Sequence, residues 1–363
     1  MGEKAKKKSF GRRMLIFFVG IFAVIGLLCM LLCVINPVIS PNAFVITSFF
    51  GLAFWPIFVF NVMLLLAFIV LKSRKTLLLS VLALVIAIPG FIRSYAMNKE
   101  PIEKGCVKIM SYNIANFRDV TGNKKSRSDV KAAIIDIINS ENPDIVCLQE
   151  GGGLREKNIK DFARQINCDY YVQGKNNNFI FSKYPLENDE FTEKCDDDAA
   201  IGVVRLVKTG DRGCFYVECV HLQSFRISKD EIEYLNDAKH YVEYSETKGK
   251  SLIYKLKRGF EQRTDDTRKL VGNMPGNNAP IIVCGDFNDT PQSYTYRRMR
   301  KAGLNDAFQK VGKGIGKTYC GKLPFLRIDY FWCSANIVPM TFERYKQKMS
   351  DHYPIIMTFN VTH

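Results

Sequence analysis

A single α/β domain of about 260 residues, preceded by a region of apolar helices that spans a membrane, is the fold class predicted for this 363-residue chain. Three observations predict it. Long apolar stretches fill the first hundred residues. From Cys106 the pattern changes to short apolar runs separated by loops, opening on a strand–helix–strand unit. Polar side chains recur where those short runs end.

Residues 1–13 form a basic tail, followed by apolar stretches at 14–35, 43–71 and 76–92. Each approaches or exceeds the length of about 20 residues that a helix needs to cross a bilayer core. Met14–Ile35 carries no charge and is followed by Asn36-Pro37 with no small-x-small cleavage site, as in a retained anchor. Residues 1–100 hold eleven basic and two acidic residues, so +9 of the formal +15 lies there and +6 is left for the other 263 residues. That split marks membrane topology and excludes a chain-wide nucleic-acid footprint, a wholly soluble protein and a disordered chain. The tail and the turn Lys72-Ser73-Arg74-Lys75 lie in the cytoplasm by the positive-inside bias. Three spans then place residue 101 onward outside, in a plasma or inner membrane protein with an extracytoplasmic domain. The third stretch is the shortest and contains Pro89 and Gly90, so it is the one open to a re-entrant reading that returns the domain to the cytoplasm.

Residues 93–105 read as a linker and 106–363 as the folded domain. Nine of the eleven cysteines lie there, without a CxxC pair or a Cys/His zinc spacing, and Cys147 and Cys284 sit in apolar runs as small buried hydrophobes; no disulfide framework is expected. Val107–Met110 alternates as a strand. Ser128 or Asp129 can cap a helix whose Val130, Ile134, Ile137 and Ile138 share one face, and Pro143 separates it from the strand Ile145–Leu148. Further strands are expected at Phe179–Ser182, Ala200–Val207, Cys214–Val220, Ile281–Cys284, Ile328–Cys333 and Ile355–Phe359. Ser228–Gly272 reads as a polar helical insertion through Ile232, Leu235, Ala238 and Tyr241/Val242.

Chemistry gathers at the strand ends: Asn113, Glu150, His221, Asp286 with Asn288, Asp329, and Asp351-His352. One polar residue at a strand end is a turn former. Six such places in one domain fit that reading badly and suit a hard-metal site facing solvent.

Ser111-Tyr112-Asn113-Ile114, Leu148-Gln149-Glu150, Val220-His221-Leu222, Gly285-Asp286-Phe287-Asn288, Arg327-Ile328-Asp329-Tyr330 and Ser350-Asp351-His352-Tyr353-Pro354 together resemble the ordered motifs of the endonuclease/exonuclease/phosphatase superfamily, over roughly residues 106–361. The resemblance implies a four-layer α/β/β/α sandwich and a phosphodiester or phosphomonoester hydrolase using Mg²⁺ or Mn²⁺. A phosphate ester repels anionic attack, so its hydrolysis needs a cation, a base for water and donors for developing charge. Glu150, with Asn113 and Asp351, is the expected metal set. His352 is the expected base, oriented by Asp329, with Asp286 the alternative acceptor of the proton. Asn288 holds water or a phosphate oxygen, and His221 donates to a nonbridging oxygen.

Asn178 before Phe179 is equally a turn residue or a member of this set. Arg327 is read as bonding a loop, His240 as facing solvent and His363 as the terminus. Gly312–Thr318 lacks phosphate-loop spacing, because Val311 stands where the motif needs its first glycine. The densest basic run, Lys248, Lys250, Lys255, Lys257, Arg258, Arg263 and Arg268, reads first as a solvated helix face. With only +6 on the domain, nucleic acid is a possible but unfavoured partner, and a non-catalytic phosphate-binding module less favoured still. Tethering at a lipid bilayer raises the effective concentration of membrane substrates. Three spans before such a domain are also similar to membrane-anchored bacterial members of the superfamily implicated in glycopeptide tolerance. The favoured substrate is therefore a lipid-linked or small organic phosphate ester or pyrophosphate, with DNA or RNA the alternative.

Overall fold

The computed structural model describes residues 2–98, 105–120, 125–154, 156–197, 201–225, 246–276, 279–321 and 325–362. Its N-terminal helices are α1 (Gly2–Ile35), α2 (Pro41–Phe44), α3 (Ile46–Leu52), α4 (Phe54–Val70) and α5 (Arg74–Ser94). There follow β1 (Ala96–Met97), β2 (Val107–Asn113), α6 (Arg127–Glu141), β3 (Ile145–Gln149), α7 (Glu156–Gln165), β4 (Tyr170–Gln173), β5 (Phe179–Ser182), β6 (Leu186–Glu187), α8 (Glu190–Asp197), β7 (Gly202–Lys208) and β8 (Cys214–His221). The chain closes with α9 (Glu246–Gly272), β9 (Ile281–Asp286), α10 (Tyr294–Lys301), β10 (Asn305–Asp306), α11 (Ala307–Val311), β11 (Lys313–Gly314), β12 (Asp329–Cys333), β13 (Ile337–Arg344) and β14 (Ile355–Val361). Two compact units result. One holds residues 1–94 with 290–297, the other residues 95–289 with 298–363.

In the helical unit, α1 and α5 are each long and apolar enough to cross a membrane. The stretch 43–71, expected as one span, is instead broken: α3 and α4 meet at a bend of 69° and make a third span only if counted together. Pro56 explains the break, since its ring collides with the carbonyl four residues back, at Leu52, and is tolerated only in the first turn of the new helix. The stretch suspected of interruption is whole. Helix α5 runs on through Pro89 for 21 residues, about 31 Å at 1.5 Å per residue. Met30, Cys33, Phe54, Ala83 and Ala87 form one cluster inside this unit and Ala23, Leu64 and Phe68 another, while Phe17, Phe22, Met63, Leu66 and Leu78 point outward.

The second unit is built on two six-stranded sheets, in the orders β10-β12-β9-β8-β7-β6 and β13-β14-β2-β3-β5-β4. The inward side chains of both sheets, among them Ile109, Cys147, Val217, Cys284, Phe331 and Met357, form one core. The outer face of the second sheet packs Met110, Val146, Leu148 and Phe181 against Val130, Ile134 and Ile138 of α6 and Phe162 of α7. This is the predicted sandwich of sheets flanked by helices. Burying both faces of β3 leaves it no polar alternation, which is why it reads as a continuous apolar run.

Local expectations need adjustment. The cap of α6 is Ser126, whose hydroxyl accepts from Asp129 N while the Asp129 carboxylate accepts from Ser126 N; neither Ser128 nor Asp129 is the cap. Strand β13, an eight-residue edge strand with Pro339 inside and a bulge beside it, gives no clean alternation and was absent from the expected set. Residue 200 and the first half of the expected insertion, residues 228–245 with Ile232, Leu235, Ala238, His240 and Tyr241/Val242, lie outside the described residues, as does His363. The eleven cysteines are all thiols, none of them in a disulfide.

Candidate active site

Strand register gathers the polar residues. β2 and β3 are parallel with Asn113 opposite Gln149, so Glu150, one residue further, stands beside Asn113. β8 and β9 are parallel with His221 opposite Asp286, and β12 runs antiparallel with Asp329 opposite Asp286. Gly285 permits the close approach of β9 to β8: at φ +140°, a Cβ there would lie 1.9 Å from the Val220 carbonyl oxygen. The loop before β14 is pinned by Cys320 N donating to Asp351 O (2.7 Å) and Tyr353 N donating to Thr318 O (2.8 Å), with Tyr319 bridged to His352.

A continuous network follows. Asn113 Nδ2 donates to Asp286 Oδ2 (3.0 Å) and lies 3.4 Å from Glu150 Oε1. Asp286 Oδ1 accepts from Asn288 N (2.8 Å) and Oδ2 from Asn288 Nδ2 (3.2 Å), while Asn288 Nδ2 also reaches Leu222 O. His352 Nε2 lies 3.5 Å from Asp286 Oδ2, and its Nδ1 is 3.0 and 3.1 Å from the two Asp329 oxygens. His221 Nε2 stands 3.7 Å from Asp286 Oδ2 and 3.9 Å from Glu150 Oε1, and is buried with no hydrogen-bond partner.

One expected member, Asp351, and the two weaker candidates stand apart. The Asp351 carboxylate is outside this network and accepts from Ser350 Oγ (3.2 Å). Arg327 is buried in an ion pair with Asp306 (2.8 Å), its guanidinium over the rings of Phe308 and Tyr330, which is the structural role expected of it. Asn178 is buried and donates to Ile201 O.

Residues absent from the expected set stand beside Glu150. Ala115, Asn116 and Phe117 are consecutive left-handed residues, at φ 46°, 55° and 56°. Their turn aims Asn116 Nδ2 at Glu150 Oε2 (3.0 Å), while Asn116 Oδ1 accepts from Gly152 N (3.0 Å). The Arg118 guanidinium, exposed, lies 3.7 Å from the same oxygen. A second asparagine three residues after Asn113 was the only signal for this turn. Thr318, also unforeseen, donates nothing to the network but accepts from Asp329 N (3.1 Å) at its hydroxyl.

Burial raises the Asp286 carboxyl above the ordinary aspartate value, Asp329 adding to the effect and the two histidines opposing it. Burial alone would lower His352, but the Asp329 and Asp286 carboxylates and the Asp329 hydrogen bond hold it well above the ordinary histidine value. Asp286, His352 and Asp329 also bring one ligand atom each within 4.8 Å of one another. They already bond each other. Glu150 and Asp286 oxygens instead converge on one Asn113 amide, an oxygen-rich anionic pocket with an orphaned His221 nitrogen at its rim. That donor set fits a hard divalent cation.

The model of the endonuclease/exonuclease/phosphatase family matches residues 110–352, and that of a domain of unknown function matches residues 12–95. The uncharacterised protein YbhP of Escherichia coli K12 is 24% identical over 246 residues, covering 61% of this chain and 84% of its own. Among solved structures, an endonuclease/exonuclease/phosphatase from Bacteroides vulgatus is 15% identical with a TM-score of 0.49, over 70% of this chain and 98% of that one. The human Nocturnin catalytic domain with bound sulfate is 19% identical with a TM-score of 0.47, over 72% and 96%.

Proposed function

Because the chain belongs to the endonuclease/exonuclease/phosphatase family, whose members hydrolyse phosphate esters, we propose that it is a membrane-anchored, Mg²⁺- or Mn²⁺-dependent phosphoesterase acting on a lipid-linked or small organic phosphate. The observation that carries this is the unbroken chain of contacts from Glu150 through Asn113, Asp286 and His352 to Asp329, with the unpartnered His221 nitrogen beside it.

Glu150 and Asn113 would hold the cation, which would supply charge neutralisation at the phosphate when bound, with the Asp286 carboxylate facing the same pocket and Asp351 outside it. The chain's own groups do the rest. Asn288 and Asp286 position the attacking water. Its proton passes to the Asp286–His352 pair, whose facing atoms are 3.5 Å apart, and Asp329 fixes the imidazole ring at Nδ1. His221, through an Nε2–H, donates to a nonbridging oxygen as negative charge develops.

A substrate panel tests this reading: the full chain in lipid nanodiscs with Mg²⁺, offered bis-p-nitrophenyl phosphate, inositol phosphates, lipid pyrophosphates, plasmid DNA and RNA. Hydrolysis of the lipid-linked or small phosphates is expected. Turnover confined to DNA or RNA would make the chain a nuclease, and turnover of none would leave only a phosphate-binding role.

The site faces outward in this proposal. Helices α3 and α4, counted together as one bent span, and the uninterrupted α5 complete an odd number of crossings with α1. Protease added to intact spheroplasts should therefore trim the protein to a stub of about 100 residues. Protection of the domain until the membrane is lysed would place it in the cytoplasm.

A further inference from the structure

Arg263, which reads from the sequence as part of a solvated basic helix face, is fully buried instead. Its guanidinium leaves α9 between two rings, 4.2 Å from the centroid of Phe225 and 5.0 Å from that of Phe260. Gly259 makes the room, since a Cβ there would lie 2.7 Å from Phe225 Cδ1. Nη1 donates to Gln223 O (2.9 Å), and Nε stands 3.5 Å from Asp289 Oδ2. Nη2 is buried with no hydrogen-bond partner among the described residues. An apolar chain of similar volume would serve packing at least as well as a buried cation bonded this thinly, so packing alone does not account for it.

What it holds is a junction. Leu222 and Gln223, the two residues after His221, have all four of their backbone polar groups engaged, two on each side. Leu222 N donates to Asp286 O (2.9 Å) and Leu222 O accepts from Asn288 Nδ2 (3.0 Å). Gln223 N donates to Asp266 Oδ2 (3.3 Å) while Gln223 O accepts from Arg263, so two side chains one turn apart on α9 grip a single residue. The Asp289 contact closes a ring that runs from Arg263 through Gln223, Leu222, Asn288 and Asp289 back to Arg263. We propose that Arg263 is a positioning residue for the hydrolytic site: from α9 it fixes the loop that presents His221 against the loop that presents Asp286 and Asn288. Its kinetic consequence rests on the phosphoesterase reading, its structural one does not. Tyr330 Oη also donates to Asp289 O (2.8 Å) and anchors the second loop to β12, so loosening falls first on Leu222 and Gln223.

The test uses the full chain in nanodiscs and two variants. Arg263→Lys keeps the charge but not the planar fork that reaches Gln223 O and Asp289 together. Arg263→Met combined with Asp289→Asn removes the ion pair and fills its volume, a replacement that leaves stability nearly intact. Melting temperature, amide exchange, and kcat and KM for bis-p-nitrophenyl phosphate are measured together. Each variant should exchange about tenfold faster at Leu222 and Gln223, with Val217 inside β8 and Val283 inside β9 unchanged. Each should lose about tenfold in kcat with KM within about twofold and a nearly constant melting temperature, the split expected of misplaced loops. Unchanged exchange at Leu222 and Gln223 in both variants overturns the proposal, as does wild-type kcat with those amides loosened. Acceleration shared by Val217 and Val283, with a matching fall in melting temperature, also overturns it and makes Arg263 a core residue only. Exchange decides the matter even if the wild-type chain hydrolyses no probe, in which case the phosphoesterase reading fails alone.

Discussion

His352→Ala should slow turnover by about 10² to 10⁴-fold while leaving metal affinity nearly unchanged, the usual scale for losing a general acid–base partner. The imidazole is bonded at Nδ1 to both Asp329 oxygens and faces Asp286 Oδ2 at Nε2, so it touches the proton path and not the Glu150 oxygens. Removing it also strands two buried carboxylates without their cationic partner. Asp329→Asn should mimic part of the loss, since an amide oxygen can still orient Nδ1–H but does not stabilise an imidazolium. Steady-state kinetics beside a metal titration separate the two effects. Wild-type turnover in His352→Ala would falsify the assignment of the proton to this pair.

Removing the cation should abolish hydrolysis altogether. EDTA is expected to silence the chain and Mg²⁺ or Mn²⁺ to restore it, and Glu150→Gln should raise the metal concentration for half-maximal activity by at least about tenfold. The charge is the point, because glutamine keeps the shape but would set its own amide N–H₂ against those of Asn113 and Asn116. Asn116→Ala, which removes only a support, should cost about 10 to 100-fold in metal affinity. Full activity in chelator would end the metal-dependent reading.

Much of this site was legible because its residues belong to short motifs at strand ends, where charged groups have no business in a core. Asp286, Asn288 and His352 announce themselves in this way. What the motifs do not contain is register. Only the parallel pairing of β2 with β3 and of β8 with β9 turns six separate strand ends into one rim. Asn116 escaped notice because a left-handed turn of Ala, Asn and Phe has no compositional signature; glycine is what such turns lead one to expect. Asp351 shows the reverse, a motif residue whose carboxylate bonds Ser350 rather than the network. In the helical unit, hydropathy measured apolar length well but could not tell which stretch bends. Pro89 lies in a helix that continues, whereas Pro56 stands at one that restarts.

The left-handed turn at Ala115–Phe117 sets durability against chemistry. Each L-residue held there costs about 1 to 2 kcal/mol, and glycine at Ala115 would relieve its share, whereas Phe117 is buried against Phe162 and its removal would cost more than the relief returns. The same relief would free the Asn116 amide to leave Glu150. Selection of this protein for heat resistance alone would thus be drawn to Ala115, and would yield a hardier molecule with a slacker hold on the Glu150 carboxylate.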